Sequence, residues 1–469
     1  MINQSELWMD KTVCADAVLR FLDKLPESKT ALHALQIYRH GKLMLSMAPK
    51  PYSVSDTMQL YSLSKSFSST AIGFLADDGV LTAEDRVIDI FKDQLPARLG
   101  RNMEHLRVKH LLSMNTGHAA CCLPYIRRAA APVTEFLNTD LDFMPGTHFT
   151  YNNAATYMLS EIVTHYTKKT MFDFLQERLF LPLGITNVYW DVFPSGRSQG
   201  AVGLHASVED VAKLGLLYLN KGKWNGKQLL SEEWVAAASA PHSDNSGNGT
   251  KDWVAGYGYQ FWINAREGYR GDGAFGQLSM VFPERDMVVA AKVCSDDMQT
   301  EIDLIFDLMD ALCDQGTKTE ADVLEKLDQY YPIPDEAPMA DSLFDHLYHC
   351  NPNILGITSL ALHRDADRIS VTFSNGSCLQ TMHFGIGAYQ KSEITVKRLK
   401  PTLETLAGTD APEAIAFAAA AAGSKDGFAV SLYYLDNPHY ETWEFCAGAD
   451  GSEISWRRNG VTLLEGFLQ

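Results

Sequence analysis

The sequence predicts an α+β domain, an antiparallel sheet flanked by helices, followed by a β-rich C-terminal domain. Three observations carry this expectation. A hairpin pattern over residues 34–47, turning at His40-Gly41, precedes the long helical stretch that starts near Ser62. No strand runs straight into that helix, as it would in a parallel α/β fold. Gln329-Tyr330-Tyr331-Pro332-Ile333-Pro334-Asp335-Glu336-Ala337-Pro338 reads as a linker, because its prolines can continue neither helix nor central strand. Beyond it the apolar pattern changes to period two. The boundaries this suggests are a catalytic-type domain over 1–315, a helix and proline-rich linker over 316–342, and a β-sheet or barrel-like domain over 343–469.

The elements follow in order. Residues 13–25 form an amphipathic helix pattern, then comes the hairpin. From Phe67 the apolar residues Phe67, Ala71, Phe74 and Leu75 recur at helical spacing, and Gly79 suits the C-cap. A short helix over 108–114 stops at Asn115-Thr116-Gly117-His118. Pro145-Gly146 opens a turn, and a helix follows over 154–166. Residues 208–219 form another amphipathic helix. Strands are expected at 257–263 and on both sides of Pro283-Glu284-Arg285-Asp286, with a helix over 301–313. Eight strands are then expected at 357–363, 368–374, 380–384, 393–399, 428–435, 440–446, 453–458 and 461–467. Asn375-Gly376 and Asn459-Gly460 mark two of the turns. The alanine-rich run 415–421 has helical propensity, yet strands surround it, and it reads as a strand.

Composition narrows the function. The chain of 469 residues, 46% apolar and 21% charged, is large enough for two or three globular domains. A net charge of −18 argues against nucleic acid or an anionic membrane as partner. The eight cysteines are scattered with no Cys-x-x-Cys pair, which reads as reduced thiols and no zinc site. No basic segment followed by an apolar one opens the chain, and a cytoplasmic protein is expected.

Chemistry is concentrated at Ser62-Leu63-Ser64-Lys65. Ser62 and Lys65 are three residues apart at a helix start, on one face and within hydrogen-bonding reach. A serine hydroxyl needs an adjacent base, and a desolvated lysine can be one. Lys65 is the only lysine with a serine three residues before it. A proton shuttle is needed too, and Tyr-x-Asn occurs at Tyr151-Asn152-Asn153 and at Tyr218-Leu219-Asn220. The first follows a Pro-Gly turn, which suits a side chain aimed into a cleft; the second ends an amphipathic helix, where Tyr218 reads as packing. Gly271-Asp272-Gly273-Ala274 leads into a strand and lets a substrate approach the backbone closely.

The order Ser62-x-x-Lys65, Tyr151-x-Asn153, glycine-rich strand resembles the serine β-lactamase and penicillin-binding-protein superfamily. It is most similar to the class C-like branch of esterases, D-amino-acid peptidases and 6-aminohexanoate-dimer hydrolases. The resemblance implies Ser62 as the acylated nucleophile and Lys65 as its proton acceptor or electrostatic partner. It implies Tyr151 as general base and acid, and Asn153 as the residue orienting Lys65 and substrate. Gly271-Asp272-Gly273 falls where the family has Lys/His-Thr/Ser-Gly, which makes Ala274 the second oxyanion N–H donor beside Ser62. The usual cation is Gly271 here. Arg270 is a possible substitute, although strand alternation points it away from a pocket that Gly271 faces. A preference for uncharged substrates is expected.

Gly196-Arg197-Ser198-Gln199-Gly200 matches the α/β-hydrolase elbow, but Phe193-Pro194 before it and Gly200-Ala201-Val202-Gly203 after it lack the required strand and helix. The expected activity is cleavage of a small ester or amide through an acyl-enzyme, with no metal or organic cofactor. The alternative is a non-hydrolysing binding protein on the same scaffold, which would not react with a serine-directed probe.

Overall fold

The computed structural model describes residues 2–468 except 3, 193–195, 334–338, 376–377, 397–412, 425 and 449–451. Pro334, Pro338, Gly376, residues 397–399 and Phe193-Pro194, used in the sequence reading, lie outside the described residues. The chain divides into two compact units. One comprises Trp8–Met47 and Thr57–Gly316; the other comprises Met1–Leu7, Ala48–Asp56 and Thr317–Gln469.

In the first unit, α1 (Ala15–Glu27) buries Val18, Phe21, Leu22 and Leu25 along one face, as its spacing requires. The hairpin β1 (Ala31–Arg39) and β2 (Lys42–Ala48) turns through His40 and Gly41, at φ 51° and 69°. Two consecutive positive φ values give a turn whose twist matches the strands. α2 (Ser64–Asp77) is entered through a 3-10 turn at Tyr61–Leu63. Every residue of α2 from Ser64 to Leu75 is buried. A helix buried all round must satisfy its polar groups internally. Ser66 Oγ donates to Gln260 O at 2.9 Å, and Ser68 Oγ to Gly200 O at 2.8 Å.

α3 (Asn153–Thr167) is capped by the Asn152 side chain, which accepts from the Ala154 N–H at 3.0 Å. α4 (Val208–Leu219) opens with a reciprocal Ser207–Asp210 cap. The sheet continues through β3 (Trp262–Ile263), β4 (Tyr269–Gly273), β5 (Gln277–Phe282) and β6 (Met287–Cys294), and α5 (Met298–Ala311) follows. Its spatial order is β2-β1-β6-β5-β4-β3, every pair antiparallel. The strand expected at 257–263 is reduced to Trp262–Ile263. Gln260 breaks it: its φ is 64°, and its side-chain amide donates to Leu112 O and accepts from Thr156 Oγ1.

Among the described residues of the second unit ten strands run from His346–Cys350 to Val461–Leu468, and chain neighbours pair antiparallel except Leu379–Gly385 and Gln390–Val396, which form the two ends of the sheet. Glu413–Ser424 is one of them, so the alanine-rich run is a strand. Leu379–Gly385 also meets Glu413–Ser424 at the pair Gly385–Ala420, which brings the two ends of the sheet together in a barrel-like form. Its inward positions are filled by Phe384, Phe417, Phe428, Phe445, Trp443 and Trp456. Large aromatic rings at alternate positions fill such an interior with side chains. The strand His346–Cys350 escaped the sequence reading because it pairs exposed and buried positions around histidines, with weak alternation.

Candidate functional site

Ser62 occupies the 3-10 turn that feeds α2, and Lys65 lies in the first turn of that helix. Lys65 is 1% exposed. Its Nζ lies 2.9 Å from Ser62 Oγ and donates to Ala201 O at 2.9 Å. Burial lowers the Lys65 pKa to about 7, against smaller opposing effects of Cys121 and Asp272. About half of it is therefore neutral near pH 7. A neutral amine that donates to Ala201 O still has its lone pair for the Ser62 proton. That is the arrangement an activated serine needs.

Tyr151 closes the other side. Lys65 Nζ lies 4.9 Å from the centre of its ring. Burial, with Asp272 adding to it, raises the Tyr151 pKa. The phenol thus keeps its proton at neutral pH, which favours Lys65 over Tyr151 as the first base. The tyrosine ring stacks on Trp262, with centroids 5.5 Å apart and planes 19° apart, and Tyr257 meets it edge-on. Asn153 begins α3, and its Oδ1 is buried with no hydrogen-bond partner among the described residues. Ala201 O, and not Asn153, is the group that holds Lys65.

The glycine-rich strand is β4. A Cβ on Gly273 would lie 2.0 Å from the Leu60 carbonyl, and one on Gly271 would lie 2.4 Å from Leu63 Cδ1 and 2.5 Å from Ser66 Oγ. β4 is pressed against the nucleophile turn, and a side chain at 271 could enter only if Leu63 and Ser66 moved. Lysine or histidine at 271 would have to displace Leu63 Cδ1 and Ser66 Oγ. Ala274 lies one residue past the last paired position, Gly273 with Gln277, so its N–H is outside the ladder. The Ser62 N–H, in the first turn, has no intrahelical carbonyl to bond. Both N–H groups thus lie outside the helix and ladder bonding.

Arg270 lies on the face of β4 opposite to Gly271, as strand alternation requires. Its side chain is fully buried and shares a face with Asp272, two residues on. Arg270 Nε donates to Asp272 Oδ2 at 3.0 Å, Nη2 lies 3.0 Å from the same oxygen, and Nη1 donates to Asn264 Oδ1 at 2.9 Å. The guanidinium carbon lies 4.7 Å from the Trp253 ring and 5.9 Å from Trp262. Trp262 is the cross-strand partner of Arg270, so its indole separates this cation from Tyr151. Burial raises the Asp272 carboxyl while Arg270 pulls it down. The charge at the third motif is thereby internally neutralised.

The rival residues are elsewhere. Ser198 is 1% exposed, and its Oγ accepts from the Phe172 N–H at 3.4 Å. Tyr218 bonds Thr70 Oγ1 at 2.9 Å and packs on Phe261. Sequence reasoning missed Ala201 and Trp262. Ala201 lies in the segment after Ser198, where the sequence offers only the hydrolase-elbow pattern. Trp262 becomes visible only through its register with Arg270.

The Beta-lactamase family model matches residues 23–300, more than half of the chain, which therefore belongs to the β-lactamase family. A D-aminopeptidase from Brucella anthropi is 29% identical over 143 residues, 29% of this chain and 26% of that protein. The chain thus spans about a quarter of that relative's length. Among solved structures, a penicillin-binding-protein homologue from Caulobacter crescentus superposes with a TM-score of 0.53 at 16% identity, over 66% of this chain and 100% of the other. An octameric penicillin-binding-protein homologue from Pyrococcus abyssi gives 0.51 at 15% identity, over 96% and 99%. These likenesses are of fold. No described helix is long and apolar enough to cross a membrane.

Proposed function

We propose that the chain is a serine hydrolase that cleaves a small, uncharged ester or amide through an acyl-enzyme on Ser62. The observation that carries this reading is the buried Lys65, 2.9 Å from Ser62 Oγ, with its pKa lowered to about 7. Lys65 takes the Ser62 proton as the hydroxyl attacks the acyl carbon. The Ser62 and Ala274 N–H groups receive the charge that develops on the acyl oxygen. The protonated phenol of Tyr151 hands a proton to the leaving group and recovers one from Lys65. Water then repeats the cycle in reverse, releasing the acid and freeing Ser62.

Substrate charge follows from the third motif. Gly271 has no side chain, and the Arg270 charge is held by Asp272 inside the fold. A carboxylate beside the acyl group finds no unpaired cation there. The test is a matched pair of activated esters, one carrying that carboxylate and one its methyl ester, assayed with the wild type and Ser62→Ala. The methyl ester should be turned over faster, because a carboxylate held there without a cation loses hydration that the ester does not. Ser62→Ala should be inactive on both. Equal turnover, or a carboxylate preference, would contradict the assigned substrate class; activity surviving in Ser62→Ala would contradict the nucleophile.

A further inference from the structure

Two residues beside the oxyanion donors share an unusual backbone. Tyr61, immediately before Ser62, has φ 46°, and Phe275, immediately after Ala274, has φ 65°. Aromatic residues rarely adopt the left-handed region, where glycine is the ordinary choice, and surrounding packing must hold them there. These two are held by each other. Their rings meet edge-to-face with centroids 5.3 Å apart and planes 65° apart, and Tyr61 is fully buried. Backbone bonds fix each end further: Tyr61 O accepts from Ser64 Oγ at 2.6 Å, and Phe275 O accepts from the Ser295 N–H at 3.0 Å.

We propose that the Tyr61–Phe275 pair is a positioning clamp that sets the separation and direction of the two oxyanion N–H groups, those of Ser62 and Ala274. The proposal rests on the reading of Ser62 as nucleophile. The nucleophile turn and β4 come from distant parts of the sequence, and each ends in a residue whose conformation a glycine would adopt at lower cost. Glycine at either place would ease the backbone and remove the ring contact. Retaining the aromatic residues therefore favours a rigid spacing between the donors. Both act through the backbone of the donors beside them, as positioning residues.

The experiment uses the full chain with Tyr61→Gly, Phe275→Gly, the double variant, and the ring-preserving Tyr61→Phe. Three quantities are read: kcat and KM on an activated ester, the inhibition constant of phenylboronic acid, and Ser62 labelling by a fluorophosphonate. A boronate forms a tetrahedral adduct on serine that uses the same N–H groups. Each glycine variant should lose about 10- to 100-fold in kcat with KM within about threefold, and boronate affinity should fall in parallel. Tyr61→Phe should keep wild-type values. The double variant should lose no more than the worse single one, because the two rings act as one unit. Phe275→Gly, at a half-buried position, decides the matter if Tyr61→Gly does not fold. Unchanged kcat and boronate affinity, losses confined to KM, or multiplicative losses in the double variant would overturn the clamp while leaving Ser62 in place. Absence of a Ser62 adduct in the wild type would overturn the site reading, and the clamp with it.

Discussion

Two serine-centred regions of this chain carry hydrolase-like patterns, and they differ in what surrounds the hydroxyl. Ser62 faces a buried amine at 2.9 Å and a protonated phenol. Ser198 accepts a backbone N–H from Phe172, and its own carbonyl accepts from Ser160 Oγ at 3.0 Å. One hydroxyl is next to a base; the other is part of the packing. The tyrosines divide the same way, since Tyr151 lies over Lys65 while Tyr218 bonds Thr70. Tyr218 is buried and Tyr151 partly exposed, yet desolvation raises both pKa values, so a raised pKa alone does not mark a catalytic group. What distinguishes the working corner is a titratable partner of the opposite role within bonding distance. The two regions are also joined, because Ala201, three residues after Ser198, supplies the carbonyl that holds Lys65.

The contrast can be broken or sharpened by substitution. The largest effect is expected from Ser62→Ala, which should abolish ester hydrolysis with an unchanged circular-dichroism spectrum. Lys65→Met should follow, with kcat down by about 10³-fold or more, since base and proton acceptor are lost together. The wild-type pH profile sharpens the same point. Lys65 must be neutral to act, so kcat/KM should rise with pH through an apparent value near 7, set by burial of the amine. The folded-state pKa lies below the ordinary 10.5, so the unfolded chain binds more protons between those values and stability should rise over that window. Lys65→Met, freed of that cost, should melt no lower than the wild type at pH 6.

Tyr151→Phe comes next, with a loss of about 10²- to 10⁴-fold in kcat and little change in melting temperature. Ser198→Ala should change kcat by less than about threefold, with any effect in stability, since a buried hydrogen bond contributes about 1 kcal/mol. Tyr218→Phe should be nearly silent in kinetics, costing about as much in stability through its bond to Thr70. Comparable losses at Tyr151 and Tyr218 would erase the distinction between the two corners.

Much of this was legible in the sequence, for local reasons. The three-residue spacing of Ser62 and Lys65 at a helix start already places them on one face. Period-two patterns gave most barrel strands, because inward aromatic and outward polar positions alternate strictly, as in Arg368–Ser374. What was hidden depends on register and close approach. Arg270 alternates with Gly271 as the sequence suggests, but its burial against Asp272, Asn264 and the cross-strand Trp262 depends on register. Gly271 reads from sequence as a lost cation, and the close approach of Leu63 and Ser66 at that position is visible only in the fold. Asn153 followed from resemblance alone, while the bond from Lys65 to Ala201 O joins segments distant in sequence.

The central claim is that Ser62 is the residue acylated. The direct measurement is to incubate the wild type, Ser62→Ala and Ser198→Ala with a fluorophosphonate, then digest each and locate the added mass by peptide sequencing. The account predicts one adduct per chain, on the peptide bearing Ser62, present in wild type and Ser198→Ala and absent from Ser62→Ala. An adduct on Ser198 that persists in Ser62→Ala, or no adduct on any of the three proteins, would contradict it.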